Sequence, residues 1–211
     1  MTRAVIFDCD GVLVDTELIS NTVLAELLTQ AGLPTTLEQC LRDYRGRSLA
    51  SVMRLAVARH GGPLPADIPA RYYADMKSAF ARDGRPVPGI ADALDQIALP
   101  SCVASSGPHH KMEVTLRRAG LWERFAGRIF SATEVEHGKP APDLFLHAAR
   151  VMGFDPASTT VVEDSVPGVE AARAAGMRAL AYARDADAAA LAAAGGETFT
   201  DMADLPELLA A

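Results

Sequence analysis

The stretch Ala4-Val5-Ile6-Phe7-Asp8-Cys9-Asp10-Gly11 joins a short apolar run to two carboxylates. The apolar run predicts a buried strand, and side chains two residues apart in extended backbone point to the same side. We therefore expect Asp8 and Asp10 to face one cavity, while Cys9 points away and packs. Two close carboxylates repel each other unless a cation or a shared proton relieves them. A surface turn is the competing interpretation, because Asp and Gly are common turn residues.

Three later stretches place polar groups in similar settings. Val103-Ala104-Ser105-Ser106-Gly107 is an apolar run that ends in hydroxyls and a glycine. Gly138-Lys139-Pro140-Ala141-Pro142 places a lysine in a stiff, turn-rich loop. Thr159-Thr160-Val161-Val162-Glu163-Asp164 is an apolar run that ends in two acids. Together with the first stretch, these groups predict a site for phosphate and a metal ion.

The order of apolar runs predicts an α/β fold with a parallel sheet. Strand-like runs lie near 3–8, 100–105, 127–132, 159–163 and 178–183, with helical patterns near 108–120, 142–153 and 167–176 between the last four. This alternation is typical of a doubly wound sheet with helices on both faces. Such a sheet binds ligands at the carboxyl ends of its strands. If the first strand is central, Asp8, Ser105 and Asp164 converge there.

The region 15–86 breaks the alternation. Its apolar residues recur at helical spacing, so we predict an inserted all-helical domain between core segments 1–14 and 87–211. The spacing is carried by Leu18, Thr22, Leu24, Leu27 and Leu28, then by Leu49, Val52, Met53, Leu55 and Ala56.

The four motifs, in this order, resemble those of the haloacid dehalogenase-like phosphohydrolases over essentially the whole chain. The resemblance is to the branch with a small helical cap after the first motif, which includes phosphoglycolate phosphatases and beta-phosphoglucomutases. It implies a Rossmann-like core with an inserted cap and Mg²⁺-dependent hydrolysis of a small phosphate ester.

The chemistry of phosphate monoesters gives the acidic residues and the lysine separate roles. A carboxylate can act as a covalent nucleophile, and we assign this role and a metal-binding role to Asp8. Asp10 is expected to protonate the leaving oxygen and then to activate water. The resemblance supports both assignments and adds the main-chain carbonyl of Asp10 as a Mg²⁺ ligand. Lys139 matches the third motif of the family, although a loop lysine alone is usually a solvated surface group.

The remaining core residues are expected to bind phosphate and metal. Ser105 would hydrogen-bond the transferring phosphate, with the main-chain N–H groups of Ser106 and Gly107 contributing. Capping of the following helix is the alternative role for this serine. Asp164 is predicted to ligate Mg²⁺ directly, and Glu163 directly or through water.

The inserted domain offers candidates for substrate selection. Arg45 and Arg47, in a glycine-containing turn between two helices, suit a carboxylate or a second phosphate. Two solvated surface arginines are an equally weighted interpretation. His109, His110 and Lys111 follow the phosphate-binding motif, and we expect them to be surface residues.

Departures from the relatives' patterns help to separate activities. Beta-phosphoglucomutases carry a histidine where this chain has Ser20 and a Ser-Arg pair where it has Arg47-Ser48, so plain hydrolysis is favoured over mutase activity. The dehalogenase branch of the family lacks the second aspartate of the first motif, so Asp10 argues against carbon–halogen chemistry. The stretch 106–112 and the C-terminal segment 198–208 are similar to bacterial sugar-acid phosphatases such as those acting on 6-phosphogluconate. The alternatives are a phosphosugar mutase and a non-catalytic phospho-receiver or binding protein.

Bulk properties agree with a globular enzyme. The net charge of −7 argues against a nucleic-acid partner, and the three dispersed cysteines are typical of reduced thiols in the cytoplasm. No apolar stretch approaches the ~20 residues of a membrane span, and the N-terminus does not resemble a signal peptide. We expect a cytoplasmic monomer or weak homo-oligomer whose partner is a small phosphate ester.

Overall fold

The computed structural model describes residues 1–44 and 49–211. The chain forms two compact units. One unit combines Met1–Asp15 with Arg85–Ala211, and the other is Thr16–Gly84. Within the described ranges, no helix is both long and apolar enough to cross a membrane.

The first unit is built on a six-stranded parallel sheet. The strands are β1 (Ala4–Phe7), β2 (Ser101–Ser105), β3 (Ile129–Ser131), β4 (Thr159–Glu163), β5 (Arg178–Tyr182) and β6 (Glu197–Phe199). Their order in the sheet is β3-β2-β1-β4-β5-β6. The predicted α/β class and the central position of β1 between β2 and β4 are confirmed.

Strand β6 is the part of the sheet that the sequence analysis missed. It has only three residues, and two of them are exposed. Edge strands are often short and polar, and β6 lacks the apolar run from which the other strands were predicted.

Side-chain alternation along the strands gives the sheet a core on each face. In β1, Val5 and Phe7 join one apolar cluster, while Ile6 joins another. Helices cover both faces, as expected for a parallel sheet. In the first unit they are α5 (Ile90–Gln96), α6 (His109–Arg118), α7 (Trp122–Phe125), α8 (Asp143–Met152), α9 (Val166–Ala174), α10 (Ala188–Ala193) and α11 (Leu205–Ala210).

Among the described residues of the second unit, the regular elements are all helices. Its helices are α1 (Glu17–Gln30), α2 (Leu37–Asp43), α3 (Leu49–His60) and α4 (Ile68–Asp83). Leu24, Leu28 and Val52 are buried in its core. The predicted apolar faces are wrong in detail, because Leu18 and Leu55 are exposed. Exposed single leucines are common, since there is too little polar surface to cover a small unit.

Candidate active site

Pairing within the sheet brings three polar strand ends to one edge. Phe7, the last residue of β1, lies beside Val103 of β2 and Val162 of β4 in the strand register. The backbone N–H of Asp8 donates to the carbonyl of Val162 over 2.9 Å. Asp8 therefore follows β1 at the level where β4 reaches Glu163.

Lys139 links the ends of β1 and β4. Its Nζ lies 2.6 Å from Asp8 Oδ1 and 2.6 Å from Glu163 Oε1, and it also donates to the carbonyl of Ala104 over 3.3 Å. The Lys139 side chain is only 5% exposed, and its Nζ lies 4.8 Å from the centroid of the Phe145 ring. The attraction between Lys139 and the two carboxylates is strong at this buried position, because little water is present to screen it.

Burial sets the protonation behaviour of this pair. Loss of water around the Asp8 carboxyl, together with the nearby carboxylates of Glu163 and Asp10, raises its pKa to about 7 despite the opposing effect of Lys139. Burial by itself lowers the pKa of Lys139, but Asp8 and Glu163 outweigh it and hold that pKa above its ordinary value. Lys139 therefore stays positively charged.

Glu163 is bonded through both of its carboxylate oxygens. Oε1 accepts from Lys139, and Oε2 accepts from the backbone N–H groups of Asp164 and Ser165 and from the Ser165 hydroxyl, each over 2.9 Å. The carboxylate lies so close to the first turn of α9 that a Cβ on Gly168 would sit 1.8 Å from Oε1. Gly168 is therefore required by this close approach.

Asp164 completes a cluster of three carboxylates. One oxygen from each of Asp8, Glu163 and Asp164 lies within 4.8 Å of the other two. A Cβ on Gly11 would sit 2.0 Å from Asp164 Oδ2, and Gly11 has a φ of +82° that only glycine adopts readily. Carboxylate oxygens are the ligands that hard divalent cations prefer, so the chemistry of this donor set fits a metal ion.

Asp10 is placed by a turn, which corrects the expectation of an extended strand. Strand β1 ends at Phe7, and the backbone N–H of Val14 closes a turn onto the carbonyl of Cys9 over 2.9 Å. The glycine at position 11 permits this turn. Cys9 is fully buried in the apolar core, as expected. Burial, with added repulsion from Asp10 and Asp8, raises the pKa of its thiol, so Cys9 stays protonated.

Lys111 corrects a second expectation. It is not a surface lysine: its Nζ lies 2.5 Å from Asp10 Oδ2, and its side chain is only 26% exposed. Its neighbours His109 and His110 are exposed, as predicted. A charge count gives a partial signal, because four carboxylates around one lysine call for a further cation, but it does not identify Lys111.

The phosphate-loop candidates lie at the end of β2. Ser105 is buried, and its Oγ accepts a hydrogen bond from the backbone N–H of Gly107 over 3.2 Å. The Ser131 hydroxyl donates to the carbonyl of Gly107 over 2.8 Å. Helix α6 begins only at His109, so Ser105 is not its cap. Ser106 is exposed.

Arg45 and Arg47 lie outside the described residues. The described residues of the first unit thus bring together Asp8, Lys139, Glu163 and Asp164, with Asp10 held beside them by Lys111. Ser105 is the last residue of the neighbouring strand β2, and Gly107 follows that strand.

We compared the chain with known protein families, curated proteins and solved structures. Residues 2–176 match the haloacid dehalogenase-like hydrolase family. The chain is similar to 6-phosphogluconate phosphatase of Escherichia coli (strain K12), with 29% identity over 207 residues, 98% of this chain and 94% of the relative. Hexitol phosphatase B of the same strain is 30% identical over 182 residues, 84% of this chain and 82% of the relative. The crystal structure of a conserved haloacid dehalogenase-like protein of unknown function from Agrobacterium tumefaciens str. C58 has a TM-score of 0.92 and 35% identity, covering 100% of this chain and 98% of that one. The chain belongs to the haloacid dehalogenase-like hydrolase family.

Proposed function

We propose that the protein is a Mg²⁺-dependent phosphatase that hydrolyses a sugar phosphate or sugar-acid phosphate through a phosphorylated Asp8. The observation that carries this proposal is the buried Asp8 carboxylate, paired with Lys139 over 2.6 Å and clustered with Glu163 and Asp164 at the strand ends. Phosphoryl transfer needs in-line positioning and cancellation of negative charge. A carboxylate nucleophile beside a fixed lysine supplies both.

In the first step, an oxygen of Asp8 attacks phosphorus and the bond from phosphorus to the ester oxygen breaks. The leaving alkoxide takes a proton from the carboxyl group of Asp10, so the alcohol departs neutral and Asp10 becomes a carboxylate. The product of this step is a phosphoryl group bonded to Asp8. Lys139 stays charged and offsets the negative charge that gathers around Asp8.

In the second step, water attacks the phosphorus and the bond to Asp8 breaks. Asp10 takes one proton from the attacking water, which restores its carboxyl group. Asp8 is released as a carboxylate together with inorganic phosphate. Ser105 is suited to hydrogen-bond the transferring phosphate, because its hydroxyl lies at the end of β2 beside Gly107.

The metal would be held by Asp8, Asp164 and the main-chain carbonyl of Asp10. When bound, Mg²⁺ supplies positive charge that offsets repulsion between the Asp8 anion and the phosphate anion. We assign Glu163 to holding Lys139 and the start of α9, because both of its oxygens already accept hydrogen bonds. Any contact of Glu163 with the metal would then run through water.

The names of the relatives support a carbohydrate phosphate as substrate. One relative is named 6-phosphogluconate phosphatase and another hexitol phosphatase B. Arg45 and Arg47 remain our candidates for binding a substrate carboxylate, because guanidinium groups match carboxylates in shape and charge. Their helical unit is proposed to select the substrate.

Phosphate release from a panel of sugar phosphates and sugar-acid phosphates tests the proposal. We expect release with Mg²⁺, loss of release with EDTA, and its return when Mg²⁺ is added back. Preference for a carboxylated sugar phosphate should weaken in Arg45→Gln or Arg47→Gln. A folded protein that binds Mg²⁺ and releases phosphate from none of these esters would contradict the proposal.

A further inference from the structure

Lys111 reaches Asp10 from a distant part of the chain. It lies in the first turn of α6, and its Nζ approaches Asp10 Oδ2 to 2.5 Å across 101 positions of sequence. The two side chains are 26% and 29% exposed. Exposed ion pairs contribute little, because water and salt screen them. This pair is mostly withdrawn from water, so its geometry is held more firmly than that of a surface pair.

The other oxygen of Asp10 has a different environment. Among the residues that the structure describes, Asp10 Oδ1 is a buried side-chain oxygen without a hydrogen-bond partner. A buried polar atom without a partner costs free energy, so such an atom in a native site calls for an explanation. One oxygen of this carboxylate is thus anchored by Lys111, while the other is available to exchange a proton.

The Lys111 side chain runs along residues 105–107, the candidate phosphate loop. A Cβ on Gly107 would lie 3.3 Å from Lys111 Cδ, 3.8 Å from its Nζ and 3.7 Å from Ser105 Oγ. The glycine therefore leaves space through which the lysine passes from α6 to the turn after β1. Lys111 connects the phosphate loop to Asp10.

We propose that Lys111 is a positioning residue for Asp10, which it holds by Oδ2 so that Oδ1 faces the reacting oxygen. This inference rests on the proposed function, in which Asp10 exchanges the proton. Lys139 does different work, since it contacts Asp8 and Glu163 at 2.6 Å each and so serves the nucleophile. One lysine therefore pairs with the attacking carboxylate, and the other pairs with the carboxyl group that transfers the proton.

Two classes of phosphate ester separate positioning of Asp10 from binding of phosphate. A sugar phosphate has a poor leaving group that needs a proton, whereas the phenolate of p-nitrophenyl phosphate departs without one. In Lys111→Met we expect kcat/KM to fall about 10²-fold for the sugar phosphate, as for a misplaced catalytic group. The fall for p-nitrophenyl phosphate should be much smaller. Asp10→Asn should show the same contrast.

Three variants serve as controls. Lys111→Arg, which can still pair with the carboxylate, should restore most of the activity on the sugar phosphate. In Asp10→Asn/Lys111→Met the second change should cost nothing further, because a positioning residue acts only through its partner. His110→Gln, an exposed neighbour on α6, should match the wild type.

Other outcomes overturn the proposal. Equal losses on both esters in Lys111→Met would mean that the lysine acts on phosphate or on folding, and no loss would mean that Asp10 needs no anchor. Absence of phosphate release by the wild type is a separate result that contradicts the proposed function. A double-mutant cycle on thermal unfolding needs no substrate, and zero coupling between Asp10 and Lys111 would overturn their pairing even in an active phosphatase.

Discussion

The ends of β1 and β4 look alike in sequence but differ in bonding. Two acids lie at the carboxyl end of each strand, Asp8 and Asp10 after β1 and Glu163 and Asp164 at the end of β4. Lys139 contacts one acid from each pair at 2.6 Å. Glu163 accepts hydrogen bonds through both oxygens. Among the described residues, the Asp8 side chain is bonded only by Lys139, through Oδ1. Glu163 is therefore suited to hold its neighbours in place, whereas Asp8 keeps one oxygen that is suited to attack phosphorus.

The second members of the two pairs differ as well. Asp164 lies against Gly11, within the carboxylate cluster. Asp10 lies against Lys111 instead, and its Oδ1 is buried without a hydrogen-bond partner among the described residues. In the proposed function, the β4 end therefore provides a fixed group of carboxylates, and the β1 end provides the two carboxyl groups that change during turnover. The following predictions test this division, from the largest effect to the smallest.

Asp8→Asn should lower kcat by more than about 10⁴-fold, because an amide cannot replace the attacking carboxylate. The measurement is steady-state phosphate release at saturating Mg²⁺. Circular dichroism should show an unchanged fold. Asp92→Asn, which alters an exposed carboxylate on α5, is the matched control and should retain full activity. Near-normal turnover in Asp8→Asn would mean that the β1 end is not the reactive one.

Glu163→Gln should lower kcat/KM by about 10–10²-fold, the range for groups that orient a site without reacting in it. The amide keeps the shape of the side chain but weakens its hold on Lys139. The same phosphate-release assay measures the effect. A loss as large as that of Asp8→Asn would erase the distinction between the two strand ends.

Gly168→Ala should destabilise the protein by about 1–3 kcal/mol, the usual cost of forcing extra atoms into a packed site. The new Cβ would sit 1.8 Å from Glu163 Oε1, so the carboxylate must move. Urea unfolding measures the change. Gly62→Ala is the control, since no atom lies within 4 Å of its added Cβ. Equal stability of the two variants would show that Glu163 has room to move.

Ser165→Ala should lower the free energy of unfolding by about 0.5–2 kcal/mol, because Ser165 caps α9. Its hydroxyl also donates to Glu163 Oε2 over 2.9 Å, so activity should fall less than in Glu163→Gln. Ser165→Thr should keep the cap and the stability. If Ser165→Ala lost more activity than Glu163→Gln, the supporting role of the β4 end would be contradicted.

The sequence predicted which strand ends form the site, because each strand end is visible in a short stretch of neighbouring residues. Apolar runs followed at once by Asp8, Ser105 and Glu163 located three strand ends, and the crossover rule for parallel sheets brought them together. The pairing of Lys111 with Asp10 was missed, because it depends on which face of α6 meets the turn after β1. That turn itself depends on Gly11 at φ +82° rather than on strand alternation.

The sequence also did not predict that Glu163 and Asp8 differ in their hydrogen bonding. Glu163 is saturated because the chain turns into α9 immediately after it, which aims two backbone N–H groups at one carboxylate oxygen. Within residues 1–44 and 49–211, the turn after Asp8 presents no backbone N–H group to the Asp8 carboxylate. Periodicity reports which side chains are buried, but it does not report which backbone donors a turn presents to them.

Trapping the phosphorylated enzyme tests the central claim most directly. Wild-type protein would be mixed with ³²P-labelled substrate and Mg²⁺, quenched in acid within one turnover and digested for mass spectrometry. The account predicts label on the peptide that contains Asp8, with loss of the label when the reaction is chased with unlabelled substrate. Label on another residue, or rapid phosphate release with no labelled peptide at any time, would contradict it.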